Sequence, residues 1–202
     1  MQIISVTSRA IMTNWIQYTD YTAGAVTTPQ IYLRQFLEIC WPFVHEITLS
    51  SRYDLILSPR FPPAWERREE WENYKAALCP WLVGSRTSDW WFGYGRGSSK
   101  MTRYRYRADD GLKEKLCSLY QDIFLRVPIG QPREEFIPWL EDMCLFSQGK
   151  LFFGSVSHEE DAFLYPLNDE MRRDISSLGK WKDCPWRDER SRIAINSFVW
   201  KK

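Results

Sequence analysis

The 202-residue chain is short of the features that would tie it to a membrane or an export route. No run approaches the roughly 18 apolar residues of a transmembrane helix. The first thirty residues hold no basic segment followed by an apolar one, so secretion is not expected. Net charge is almost nil, with 27 Lys and Arg against 26 Asp and Glu, which leaves no global field to draw in a nucleic-acid backbone. The five cysteines, Cys40, Cys79, Cys117, Cys144 and Cys184, are odd in number and contain no CxxC pair. That pattern disfavours a disulfide framework or a zinc ribbon and suits reduced thiols in the cytoplasm.

Catalytic signatures are equally scarce. Only two histidines, His45 and His158, are present, no serine sits in a GxSxG elbow, and neither metalloprotease nor EF-hand spacing occurs. Gly93, Gly95 and Gly97 form a glycine-rich run, but the Lys-Ser/Thr of a P-loop and an immediately following helix are both missing, so it reads as a flexible hairpin loop. The sequence therefore predicts no catalytic residues, no metal ligands and no cofactor.

What the chain has in excess is aromatic side chains, 16% of all residues and 11 of them Trp. Rigid aromatic rings supply contact area at low entropic cost and concentrate in binding hot spots. Hydrophobic residues make up 44% of a chain long enough to bury about 70% of its unfolded surface, so a substantial core is expected.

Periodicity sets out the elements. Leu33, Phe36, Leu37, Cys40, Trp41 and Val44 follow a helical stripe that Pro42 should interrupt. Tyr53 to Leu57 reads as a short strand, and Pro62 with Pro63 opens a helix carrying Trp71, Tyr74 and Leu78 inward. Two strands are predicted at Trp90 to Tyr94 and Thr102 to Arg107. Asp109 or Asp110 caps a helix bearing Leu112, Leu116, Leu119, Tyr120 and Ile123. Pro132 is expected to open another helix bearing Phe136, Ile137, Leu140, Met143 and Cys144. A hairpin, Leu151 to Val156 with Ala162 to Tyr165, precedes a short helix capped at Asn168 or Asp169 and closed by Gly179, and Ile193 to Trp200 reads as a last strand. Strands arriving as hairpins predict a single α+β domain over 29–202, with an antiparallel or mixed sheet and helices packed mainly on one side. Residues 1–28 read as an N-terminal strand around Ile3 to Val6, or a loosely ordered arm. The Cys-Pro-Trp triplets at Cys79 and Cys184 share no flanking pattern and are not a repeat.

Two polar groupings stand out. His158, Glu159, Glu160 and Asp161 crowd one turn, but neighbours in a turn diverge, so a solvated hairpin tip is expected there. The segment from Arg86 to Arg107 interleaves basic and aromatic residues, and alternation along a strand puts Arg103, Arg105 and Arg107 on one face and Tyr104 and Tyr106 on the other. With Trp90, Trp91 and Arg96, this is the predicted contact surface, suited to an acidic protein.

An aromatic-rich α+β domain with an odd set of thiols, balanced charge and no catalytic constellation resembles the small cytosolic immunity proteins that bacteria encode beside polymorphic or type VI secreted toxins. The resemblance implies a non-enzymatic protein that occludes a cognate toxin. The alternatives are a nucleic-acid-binding protein using the same basic-aromatic hairpin and a hydrolase centred on His158.

Overall fold

A computed structural model describes residues 15–19, 31–51, 68–92, 100–126 and 140–201. Eight strands form one antiparallel sheet: β1 (Ile16–Tyr18), β2 (Glu46–Ser51), β3 (Leu82–Ser88), β4 (Met101–Arg107), β5 (Glu141–Ser147), β6 (Lys150–Val156), β7 (Asp161–Leu164) and β8 (Trp181–Asp183). Their order across the sheet is β3-β4-β2-β5-β6-β7-β1-β8, and every pairing is antiparallel. Among the described residues four helices accompany it: α1 (Leu33–Cys40), α2 (Arg68–Leu78), α3 (Asp110–Leu119) and α4 (Asp169–Leu178). The chain is thus a single α+β domain.

The helices form where the stripes foretold them. Leu33, Phe36, Leu37 and Cys40 of α1 are all buried, and each of the three larger side chains contributes about 1.5–3 kcal/mol by leaving water. Pro42 falls in a 3-10 turn, Trp41–Phe43, that ends the helix. Asp109 caps α3, its Oδ1 accepting from Leu112 N at 2.9 Å, and Asn168 Oδ1 caps α4 by accepting from Met171 N at 2.7 Å. The buried faces of all four helices join one core with alternate sheet residues such as Ile47, Leu49, Tyr104, Met143 and Leu164. The opposite sheet face carries a second core of Trp15, Trp91, Phe92, Cys144, Phe146, Leu151, Phe163, Cys184 and Ile195. No helix covers that face among the described residues; the C-terminal segment does.

Several expectations need correction. Glu141–Ser147 is strand β5, not the end of a helix from Pro132; residues 132–139 lie outside the described ones. Met143 and Leu145 face the helices while Cys144 and Phe146 face the second core, so a strand covered on both sides reads as an unbroken apolar run. The partner of β4 is Leu82–Ser88, not Trp90 to Tyr94, and Trp91 has already left the strand. Ile193 to Trp200 is not a strand: a 3-10 turn at Ile195–Ser197 interrupts it, and this part of the chain pairs its backbone with the sheet through isolated bridges at Ala194 and at the following Lys201. Inside the expected arm, Ile16–Tyr18 pairs with both β7 and β8 as an inner strand. The strands foreseen at Ile3 to Val6 and Tyr53 to Leu57 lie outside the described residues.

Candidate functional site

Strand β4 alternates as foreseen, Tyr104 and Tyr106 turning to the helices and Arg103, Arg105 and Arg107 to the other face. It is an inner strand, however, between β3 and β2, and most of its arginine face is covered. Arg103 is fully buried; its Nη1 donates to Ser88 O at 2.6 Å and Met101 O at 2.9 Å, and its guanidinium lies 5.8 Å from the Trp91 ring. Arg105 Nε donates to Glu46 Oε1 at 2.9 Å, its Nη2 donates to Asn196 Oδ1 at 3.1 Å, and it lies over Trp200. Of the three, only Arg107 is exposed.

Most of the predicted contact face is thus covered. Arg103, Trp91, Tyr104 and Tyr106 are interior, Arg105 is engaged within the chain, and Arg96 lies outside the described residues. The cover is the C-terminal segment, zipped to β3 by Ser85 N donating to Lys201 O at 2.7 Å and Lys201 N to Ser85 O at 2.8 Å. Gly84 permits the approach, since a Cβ there would lie 2.9 Å from Lys201 O and 3.1 Å from Trp200 Cβ.

Large apolar side chains reach solvent on the outside of this cover. Trp186 is 63% exposed, Val199 83% and Trp90 38%. Arg187 N donates to Cys184 O at 3.1 Å, closing a turn that throws Trp186 outward and brings Arg187 back over the second core. Its guanidinium lies 3.9 Å from the Phe163 ring and 4.4 Å from Phe92. Burial lowers the pKa of Arg187, and Asp161 opposes this through space without forming an ion pair. Arg86 lies 4.2 Å from the Phe198 ring, its pKa is likewise lowered by burial, and its Nη1 is buried without a hydrogen-bond partner. Two cavities flank Phe198. One, of about 370 Å³, is lined by Trp90, Phe92, Arg187, Arg190 and Arg192 among others. The other, of about 390 Å³, lies against Arg86, Val199 and Lys201.

The His158 turn is a 3-10 turn, Ser157–Glu159, whose carboxylates diverge as expected. Glu160 accepts from Arg126 at 3.3 Å, Asp161 from Gln17 Nε2 at 3.3 Å, and Glu159 stands 3.7 Å from His158 Nε2. His158 instead comes near Glu141 and Asp142 of β5, with one ligand atom from each of the three within 4.8 Å of the others, a donor set of the kind divalent cations use. Asp142, at φ +56°, also clamps the turn: its Oδ1 accepts from Ser157 N at 2.8 Å and its own N donates to Ser157 Oγ at 2.8 Å. The clamp gives Asp142 a structural role that needs no ion.

Sequence reasoning passed over Trp186, Arg187, Glu141 and Asp142, and placed Arg86 in the basic-aromatic segment without making it a contact residue. The one signal for the first two was the Cys-Pro-Trp triplet, set aside as a chance repeat; it is a turn that aims Trp186 at solvent. No helix among the described residues is long and apolar enough to cross a membrane. Compared with known proteins, the chain matches no family model, no curated protein and no solved structure.

Proposed function

We propose that this chain is a stoichiometric binding protein of the cytoplasm that occludes a partner protein, as immunity proteins occlude their toxins. Its contact face is the outer surface of the C-terminal cover, where Trp90, Trp186 and Val199 surround Arg187 and Arg86. The observation that carries this reading is the continuity of that surface: exposed Trp, Val and two arginines that form no ion pair among the described residues, joined through Phe198 and the two cavities beside it. Trp and Arg dominate binding hot spots, and guanidinium groups left without carboxylates favour an acidic partner. The free thiols fit a reducing compartment.

The nucleic-acid alternative loses its instrument, because Arg103 and Arg105 are turned to internal use. The test reverses charge at Arg86. A complex purified from the native host should weaken by more than about 2 kcal/mol in Arg86→Glu if this residue is a hot spot, with the fold retained. Unchanged affinity removes Arg86 from the interface, and sub-micromolar binding of mixed nucleic acid at physiological salt by the wild type overturns the reading.

A further inference from the structure

The cavity beside Arg187 has an unusual charge balance. Three arginines line it, and two are already neutralised: Arg190 Nε donates to Asp188 Oδ2 at 2.8 Å, and Arg192 Nη1 to Glu189 Oε1 at 3.2 Å. Arg192 Nε also donates to Leu151 O at 3.0 Å. Among the described residues Arg187 forms no ion pair, its Nε is buried without a hydrogen-bond partner, and its guanidinium lies against ring faces, with Asp161 acting on it only through space. A guanidinium held in place by aromatic walls is pre-organised to receive a planar acceptor, and a carboxylate matches its fork. One unbalanced positive charge suits a monoanion better than a phosphate dianion. Four further walls, Trp90, Trp91, Phe92 and Phe198, are flat aromatic rings, Ser191 and Ser197 add hydroxyls, and about 370 Å³ lies near the small end of ligand sites.

From this juxtaposition of an unpaired Arg187 with an aromatic-walled cavity, we infer that the cavity is a binding site for a carboxylate carried beside a flat apolar group. The carboxylate comes either from a small free acid or from an acidic side chain next to an aromatic one in a protein ligand. The site does not depend on the proposed function: it stands if no protein docks on the surrounding rim, and a docked partner without such a carboxylate leaves it intact.

The test is a titration of the purified full chain, followed calorimetrically and by the fluorescence of the cavity tryptophans, with benzoate, benzamide, inorganic phosphate and a blocked Trp-Glu dipeptide. Benzoate or the dipeptide should bind saturably at millimolar or lower concentration, while neutral benzamide and phosphate should not. The tighter of the two binders assigns the source of the carboxylate. Arg187→Gln should weaken that binding at least about tenfold, whereas Arg190→Gln, whose guanidinium is already paired, should change it far less. Should Arg187→Gln fail to fold, Arg187→Lys keeps the charge without the fork and should still bind measurably more weakly than wild type. Benzamide binding as well as benzoate, a folded Arg187→Gln variant binding like wild type, or saturation by neither carboxylate would overturn the inference.

Discussion

Substituting Ala for Gly154 probes the second core where it is tightest. Gly154 lies on β6 opposite Cys144 and Phe163, with the Phe92 ring directly over it. A Cβ at that position would lie 2.3 Å from Phe92 Cε1 and 2.4 Å from Cδ1, against the about 3.5–4.0 Å of ordinary carbon contacts, so the ring must retreat by more than about 1 Å. Phe92 has little freedom to do so. It packs edge-on to Phe163 at 5.8 Å, stacks with Trp15 at 6.3 Å and carries Arg187 at 4.4 Å. Overpacking costs about 1–3 kcal/mol, and loosening two aromatic pairs adds about 1 kcal/mol. The stiffer unfolded chain returns about 0.4–1 kcal/mol. A net loss of about 2–3 kcal/mol is expected, lowering the urea midpoint by roughly 1–1.5 M. Phe92→Ala alone should cost about 3–5 kcal/mol. In that background Gly154→Ala should cost nothing further, giving a coupling of about 2 kcal/mol in the double-mutant cycle. Two losses that add to within about 0.5 kcal/mol, or a Gly154→Ala variant as stable as wild type, would refute the packing described here.

The arginines of β4 should separate by burial: Arg103→Ala is expected to lose more than about 2 kcal/mol in chemical denaturation, and Arg107→Ala to stay within about 0.5 kcal/mol of wild type. Equal small effects would show that Arg103 is not buried beside Trp91 as described. All five thiols should be free, with Cys79 alkylated first in the native state at pH 8 and Cys40, Cys144 and Cys184 only on unfolding, as mass spectrometry would read site by site. Burial pushes the Cys144 thiol up to about 12, whereas an unfolded thiol ionises near about 8.5. The native state then holds the extra proton, so stability should fall as pH rises past about 8.5, and a Cys144→Ala variant should show a shallower fall.

The helices were legible because a one-sided element leaves a 3.6-residue stripe: Leu33, Phe36, Leu37 and Cys40 read correctly, as did Leu112 and Leu116 behind the Asp109 cap. Strand β5 was not, since its two covered faces erase the alternation. Strand β3, Leu-Val-Gly-Ser-Arg-Thr-Ser, is polar and glycine-containing and announces no strand at all. The alternation of Arg and Tyr along β4 was readable, but not which face stays open. What decides that is Asn196 and Trp200, brought to Arg105 from 91 and 95 positions away along the sequence. The proposed binding surface was only partly legible for the same reason: Trp90 stood in the predicted set, but it and Arg86 come together against Phe198 only once the C-terminal segment folds back across the sheet.

The most direct test of the account is the affinity of a co-purified partner for Trp186→Ala and for Arg107→Ala, measured against wild type with the melting temperature as control. Trp186 is exposed, packs edge-on to Phe163 at 5.4 Å and stands beside Arg187. Its truncation should therefore weaken the complex by at least about 2 kcal/mol, or roughly 30-fold, with a stability change under about 1 kcal/mol. Arg107→Ala should leave binding unchanged. A partner held as tightly by Trp186→Ala as by wild type, and lost on Arg107→Ala, would contradict the placement of the binding face on the C-terminal cover.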